Sequence, residues 1–162
     1  MTTAAQLEID VPADEPVIRF SRFLAAPRER VWRAWTDPDL LAKWLGPRYL
    51  TMTSCEMDVR PGGAWSFVHT APDGTEHGFH GEFTDVDPPR RLARTFVYDP
   101  WPEASMDEWF ELEEVEGGTL LRGESRHASI ESRDRHVESG HGATVAYYWE
   151  GEPEDERRTI TF

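Results

Sequence analysis

Hydrophobic and polar positions alternate over most of this chain, after a small, acidic and proline-punctuated start. From Val17 to Leu24, VIRFSRFL alternates imperfectly and reads as a first strand. Similar runs follow at Tyr49–Val59, Ala64–Thr70, Glu76–Val86, Arg91–Tyr98, Met106–Val115 and Thr119–His127. Turn chemistry separates several of them: Arg60-Pro61-Gly62-Gly63, Pro72-Asp73-Gly74, Pro88-Pro89 and Gly117-Gly118. Strands at such spacing, with turns rather than helices between them, predict an antiparallel meander of about six to seven strands.

The period changes once, between the first two strands. Pro27 suits a first helical turn, where its missing N–H costs nothing. Val31, Trp32 and Trp35 then form an apolar stripe. Asp37 is placed as an N-cap with Pro38 at the first helical position, and Leu40, Leu41, Trp44 and Leu45 give a second helix its buried face. Gly46-Pro47 ends it. Such a wide aromatic surface needs a curved sheet to pack against, so the expected class is α+β with two short helices after the first strand.

Both ends read differently. Residues 1–15 are expected as a disordered arm, 16–150 as one domain and 151–162 as a charged tail. Ile130 to Val137 is polar and helix-compatible. Ala143 to Glu150 places Val145, Tyr148 and Trp149 on one helical face, yet TVAYYW also passes as a strand, and both readings stay open.

Composition narrows the partners. The formal net charge of -14 would be repelled by a phosphate backbone or an anionic membrane, so neither nucleic acid nor membrane is expected. The start lacks a basic segment followed by an apolar one, and no apolar run approaches ~20 residues, so a cytoplasmic location is expected. Cys55 is the single cysteine, which excludes an intrachain disulfide; in a strand it is expected as a buried, inert thiol.

The order β-α-α followed by six strands and a helix can now be set beside specific segments. RVWRAWTDPDLLAKWLGP, the strand ending DVRPGGAWSF, APDGTEHGFHGEF, the Pro-Pro step before RRLARTF, and the GGT turn at 117–119 together resemble the bacterial proteins similar to the C-terminal domain of the activator of Hsp90 ATPase. That family sits in the START/Bet v 1-like superfamily, and the likeness covers roughly residues 17–140. It implies a helix-grip fold: a curved antiparallel sheet around a long C-terminal helix, with a cavity between them. One departure is visible. Family members resemble one another in a Gly-Met segment opening a long amphipathic helix with a leucine-rich end, whereas this chain reads SGHGATVAYYWEGEPEDERR. The closing helix is therefore either short or restructured.

Candidate chemistry is sparse. His77 and His80 point to opposite faces of one strand, so they cannot share a metal, and no metal or other cofactor is expected. No G-x-S-x-G elbow surrounds Ser54 or Ser66, and no catalytic residue is assigned. An acid–base pair would have to come from His69 or His80 with Glu82 or Glu56. Either Phe79 and Phe83 or His80 and Glu82 face inward; the aromatic pair is the favoured inner face, which puts His80 at the surface or rim.

The aromatics offer a sharper idea. Trp44, Trp65, Phe67, Phe96, Trp109 and Phe110, with His69, could line an apolar pocket of the kind that holds small molecules; alternatively they only fill the core. Trp109 and Phe110 are adjacent in a strand, so at most one of them faces in. Trp65 is the leading candidate, because its indole N–H could orient a ligand atom. The expected function is binding of a small apolar or aromatic molecule without catalysis. The alternatives are a cyclase, dehydratase or hydrolase of the same fold, or an Hsp90-type interaction module. Hsp90 is the less expected partner, since the resemblance reaches only the activator's C-terminal domain. The sequence leaves the oligomeric state open.

Overall fold

In a computed structural model, residues 8–45 and 50–138 are described. The elements are β1 (Glu8–Asp10), β2 (Val17–Leu24), α1 (Arg28–Thr36), α2 (Pro38–Trp44), β3 (Thr51–Met57), β4 (Ala64–Thr70), β5 (Glu76–Asp87), β6 (Arg91–Tyr98), β7 (Trp101–Val115), β8 (Gly118–His127) and α3 (Ile130–Glu138). Among the described residues the strands form one antiparallel sheet in the order β1-β2-β8-β7-β6-β5-β4-β3. Strands β3 to β8 follow one another as a meander. The α1–α2 excursion separates β2 from β3, and β2 pairs instead with β8, Arg19 opposite Glu124. This curved sheet with helices on one face is the helix-grip fold.

Two expectations at the strand ends are corrected. Residues 8–10, placed in a disordered arm, form β1, which pairs with Arg19–Ser21. Strand β7 begins at Trp101 rather than Met106. Its pairing with β8 starts only at Met106, so residues 101–105 extend past the end of β8. Pro102 is tolerated there, because no ladder on that side needs its N–H. The segment 143–150, read as either helix or strand, the charged tail, residues 1–7 and the Gly46-Pro47 stop all lie outside the described residues.

The helices form where their caps dictate. The Asp37 carboxylate accepts hydrogen bonds from the backbone N–H of Asp39 (2.9 Å) and Leu40 (3.4 Å), with Pro38 at the first position of α2. Pro27 precedes α1 rather than joining it. Val31 and Trp35 of α1 and Leu41 and Trp44 of α2 are buried. The Trp44 indole N–H donates to the Ala34 carbonyl at 2.9 Å, and its ring meets Trp35 edge-on at 4.7 Å, which locks the two helices together.

The Arg60-Pro61-Gly62-Gly63 turn needs both glycines. Gly62 has φ +81°, and a Cβ on Gly63 would lie 1.9 Å from the Asp58 carbonyl oxygen. The turn is tied to β5 by Gly62 N–H to Phe83 O and Phe83 N–H to Gly63 O, both 2.8 Å. At the far side of the sheet, α3 packs on β8 and β2. Its buried Arg133 donates to the carbonyls of Pro12 and Glu15, fastening the β1–β2 connection to the helix. No helix among the described residues is long and apolar enough to cross a membrane.

Candidate functional site on the inner face of the sheet

Strand alternation sorts every candidate by face, and β5 resolves the open question. Phe79 and Phe83 point into the core, while His80 and Glu82 are exposed on the opposite face. The His80 Nδ1 lies 2.6 Å from the Asp99 carboxylate, in solvent. His69 is buried on the inner face, where it stacks on Phe67 at 5.3 Å. Glu82 and Glu56 are both exposed. The acid–base pair drawn from His69 or His80 with Glu82 therefore does not assemble: His69 is parted from Glu82 by the sheet, and His80 lies on the solvent face. Among the described residues, no three His, Cys, Asp or Glu side chains converge on a metal position.

The inner face carries a continuous aromatic surface. Trp65 stacks on Phe67 (5.1 Å) and tilts against Phe96 (5.2 Å); Phe67 meets Phe79 (5.2 Å), and Phe79 meets Phe96 (5.4 Å) and Tyr98 (5.0 Å). Trp65 can lie flat because Gly81 stands opposite it. A Cβ on Gly81 would sit 2.7 Å from the indole nitrogen and 1.9 Å from the Thr95 carbonyl oxygen. Across this gap the indole N–H donates to Thr95 O at 3.2 Å. The expectation that this N–H is available to a ligand is corrected: it is spent on β6.

A charged pair lies within this apolar surface. One row of the sheet runs Phe83, Arg94, Glu108, Ser125, Ile18 across five strands, all buried. Arg94 Nε donates to Glu108 Oε2 at 3.0 Å, with both side chains 2% exposed. The guanidinium carbon stands 4.6 Å from the centre of Trp65 and 5.4 Å from those of Phe96 and Phe110. Arg94 Nη2 is buried with no hydrogen-bond partner among the described residues. Removing two charges from water costs several kcal/mol per ion, and their attraction offsets this only when the remaining donors are also satisfied. Here the N–H donors of Nη2 are left over.

The other sequence candidates divide cleanly. Trp65, Phe67, His69 and Phe96 share the inner face with the ion pair. Phe110 is also inner, pressed between Trp35 (4.3 Å) and Phe20 (6.0 Å). Trp109 is on the outer face, beneath the Arg91 guanidinium at 5.2 Å, and does not join them. Trp44 belongs to the α1–α2 contact. Arg94 and Glu108 escaped the sequence reading altogether. Their signal was a charge at an inward position of each strand: Leu92, Arg94, Phe96 and Met106, Glu108, Phe110.

Further along the inner face, His127 faces His136 of α3, with ring centres 4.7 Å apart. Its Nε2 is 3.2 Å from Ser125 Oγ. Burial first, then the neighbouring His136 and Arg133, push the His127 pKa down to about 4, so it stays neutral. Cys55 on β3 is half-buried, and desolvation pushes its thiol up to about 11 although Arg94 pulls the other way. That fits an inert thiol. An open groove of about 350 Å³ beside the β7–β8 hairpin is lined by Arg28, Arg90 and Arg122 and by Glu111, Glu113 and Glu114. Arg122 pairs with Glu113 at 3.0 Å, so its charges answer one another rather than an apolar guest.

Comparison with known proteins places this architecture. Residues 25–151 match the family described as activator of Hsp90 ATPase homolog 1-like protein. A crystal structure of a Rhodobacter sphaeroides protein is 32% identical with a TM-score of 0.80, over 88% of this chain and 92% of that one. A Nitrosomonas europaea protein is 31% identical, TM-score 0.72, over 81% and 86% of the two chains. A Mycobacterium smegmatis protein is 26% identical, TM-score 0.74, over 83% and 86%. A local stretch of 62 residues is 44% identical to acetyl-coenzyme A synthetase of Mycobacterium bovis; it spans 38% of this chain and 8% of that enzyme.

Proposed function

The chain belongs to the activator of Hsp90 ATPase homolog 1-like family, within the START/Bet v 1-like superfamily, and on that premise we propose that it binds a small apolar or aromatic molecule against the inner face of its sheet, without converting it. The observation that carries this reading is the aromatic surface of Trp65, Phe67, Phe79 and Phe96 built around a buried, incompletely satisfied Arg94. A core that served stability alone gains little from such a pair, because well-packed apolar residues of similar volume are often as stable or more so. Apolar walls with a few fixed polar groups are what ligand sites generally offer.

The absence of catalysis is part of the proposal and rests on geometry: the exposed His80 and Glu82 are remote from the inner face. The site of action is the cytoplasm in this reading, and neither nucleic acid nor an anionic membrane suits a chain of net charge -14.

The test is a thermal-shift screen of apolar and aromatic metabolites. A ligand at 100 times its Kd stabilises by about 2.7 kcal/mol. The expected result is a set of related hits whose effect is lost in an inner-face variant and retained in Ser66→Ala, which changes the opposite face of β4. A screen without hits, together with stimulation of the cognate Hsp90 ATPase, would replace this reading with the interaction module that the family's description suggests.

A further inference from the structure

The large hydrophobic side chains left exposed among the described residues are Ile9, Val11, Ile130 and Val137. They come from segments far apart in sequence and gather at one corner of the fold. Ile9 stands opposite Phe20, on the inner side of β1, and Val11 leads from it into Pro12. Arg133 of α3 donates to the carbonyls of Pro12 and Glu15, which brings this connection against the helix. Ile130 and Val137 lie one turn either side of Arg133, so the helical period sets them along the flank of α3 that turns towards β1. Apolar residues exposed singly are ordinary, whereas several at one place mark an interaction surface.

The backbone and the charges say what such a surface accepts. Strand β1 ends the sheet, and among the described residues no strand pairs with its outer edge. That edge is open to strand addition. Glu8 and Asp10 are exposed on the outer side of β1, with Glu131 exposed on α3. Asp10 is 3.8 Å from Arg19, a cation already shared with Glu15 and Glu124, so acid is in excess. A second copy paired through β1, Ile9 facing Ile9, would set Glu8 of one chain opposite Asp10 of the other. Like charges directly opposite are destabilising, and a net charge of -14 on each chain adds to the repulsion. A basic strand meets no such penalty. We propose that β1 and the adjoining flank of α3 dock an extended segment of another protein in which apolar residues alternate with Lys or Arg. Its backbone adds to the edge of β1, its apolar side chains cover Ile9, Val11, Ile130 and Val137, and its cations face Glu8 and Asp10 on the other side. The opposite edge of the sheet, β3, has no such pattern: it carries the single acid Glu56, and Met52, Cys55 and Met57 already pack on the core. The surface is separate from the inner-face ligand reading and stands or falls without it.

The experiment measures the fluorescence anisotropy of a labelled peptide of alternating lysine and valine titrated with the full chain. One comparison peptide has the same composition in two blocks, and another carries N-methyl groups on alternate backbone nitrogens. The alternating peptide is expected to bind about tenfold or more tighter than either. Ile130→Ser with Val137→Ser weakens it by about fivefold or more. Glu8→Gln with Asp10→Asn does the same, with a larger effect at ~0.05 M salt than at ~0.5 M. Glu56→Gln with Glu82→Gln, an equal change of charge on β3 and β5, leaves the affinity as it was. Equal binding of the block peptide, or an equal loss in the Glu56 and Glu82 variant, shows general attraction of a cation to an acidic chain and overturns the proposal. A full chain that binds no peptide leaves the corner to residues 139–162 or to solvent, and overturns it too. A dimer of the parent that Ile130→Ser with Val137→Ser dissociates, seen by sedimentation, assigns the corner to a second copy and has the same consequence. Should a variant not fold, amide NMR of the parent with the peptide decides. Shifts concentrated in residues 8–11 and 130–137 are expected, and shifts centred on β3 overturn the proposal.

Discussion

Trp65 lies directly across Gly81, and its indole N–H passes over the missing side chain to the Thr95 carbonyl at 3.2 Å. The two residues form one packing unit, in which the size of the first requires the absence of the second. This makes Gly81→Ala destabilising by about 1–3 kcal/mol, since the added methyl meets both the indole and a strand carbonyl. Urea unfolding of Gly81→Ala is the check; a midpoint equal to the parent's would show that β5 yields freely.

Arg94 and Glu108 give a second prediction, in the form of a double-mutant cycle. Arg94→Met alone removes the arginine from the buried Glu108 and is expected to cost about 3–5 kcal/mol. Adding Glu108→Leu recovers most of that loss. If the two single losses simply add, the residues are not coupled and the pair is misread.

The pH response follows from His127. Its folded pKa of about 4 lies below its ordinary 6.5. Above pH 6.5 both folded and unfolded chains are neutral at this residue, and its full contribution is present. Between pH 6.5 and 4 the unfolded chain takes up a proton that the folded one refuses, so stability falls, by up to roughly 3 kcal/mol in all. Below pH 4 the loss is complete. Among the described residues, Ser125, His136 and Arg133 neighbour His127, and none of these three is an anion that would rescue the imidazolium. His127→Gln is expected to flatten the stability profile between pH 6.5 and 5, above the range where carboxylates dominate; parallel profiles would refute the assignment.

Cys55 supplies a chemical prediction. With its thiol pushed up to about 11, it carries about a hundredfold less thiolate at pH 8 than an unperturbed cysteine. Alkylation of the native protein by iodoacetamide should be correspondingly slow, and should accelerate in urea. Fast labelling of the native chain would contradict the burial.

Much of the architecture was readable from residue order. Strands β2, β4 and β6 have the bounds their alternation predicts, and Asp37-Pro38 caps α2 as its chemistry requires. What escaped was set by tertiary context. Strand β1 is three exposed residues, Glu-Ile-Asp, and is a strand only because β2 offers an edge to pair with. The first five residues of β7 include a proline and polar side chains, which read as a loop; their one-sided pairing makes them a strand.

The candidate site was legible in its aromatics and illegible in its charges. The alternation of Trp65, Phe67 and His69 placed these residues together on the inner face, as expected from a period of two. Arg94 sits among other arginines in RRLARTF, and Glu108 among acids in MDEWFELEE, so each looked like ordinary solvated surface. Only the register of β6 against β7, opposite charges at matched inward positions, distinguishes this pair from the outer-face pair Arg91–Glu111. Sequence period says which face a residue occupies, but it does not say which residue stands opposite.

The pairing of β2 with β8 has a consequence for how the chain is made. The Arg19–Glu124 contact joins residues 105 positions apart, so β2 leaves the ribosome well before its partner exists. At ~5–20 residues per second, that interval is roughly 5–20 s. Throughout it Val17, Ile18, Phe20 and Leu24, together with the aromatic stripe of α1, have no sheet to cover them. Strands β3 to β8 can zip up locally as they emerge, each on its predecessor, whereas β2 waits for β8, the last. Nascent chains stalled before residue 118 should therefore present a sticky N-terminal segment to holdase chaperones, and release from the chaperone should coincide with synthesis of β8.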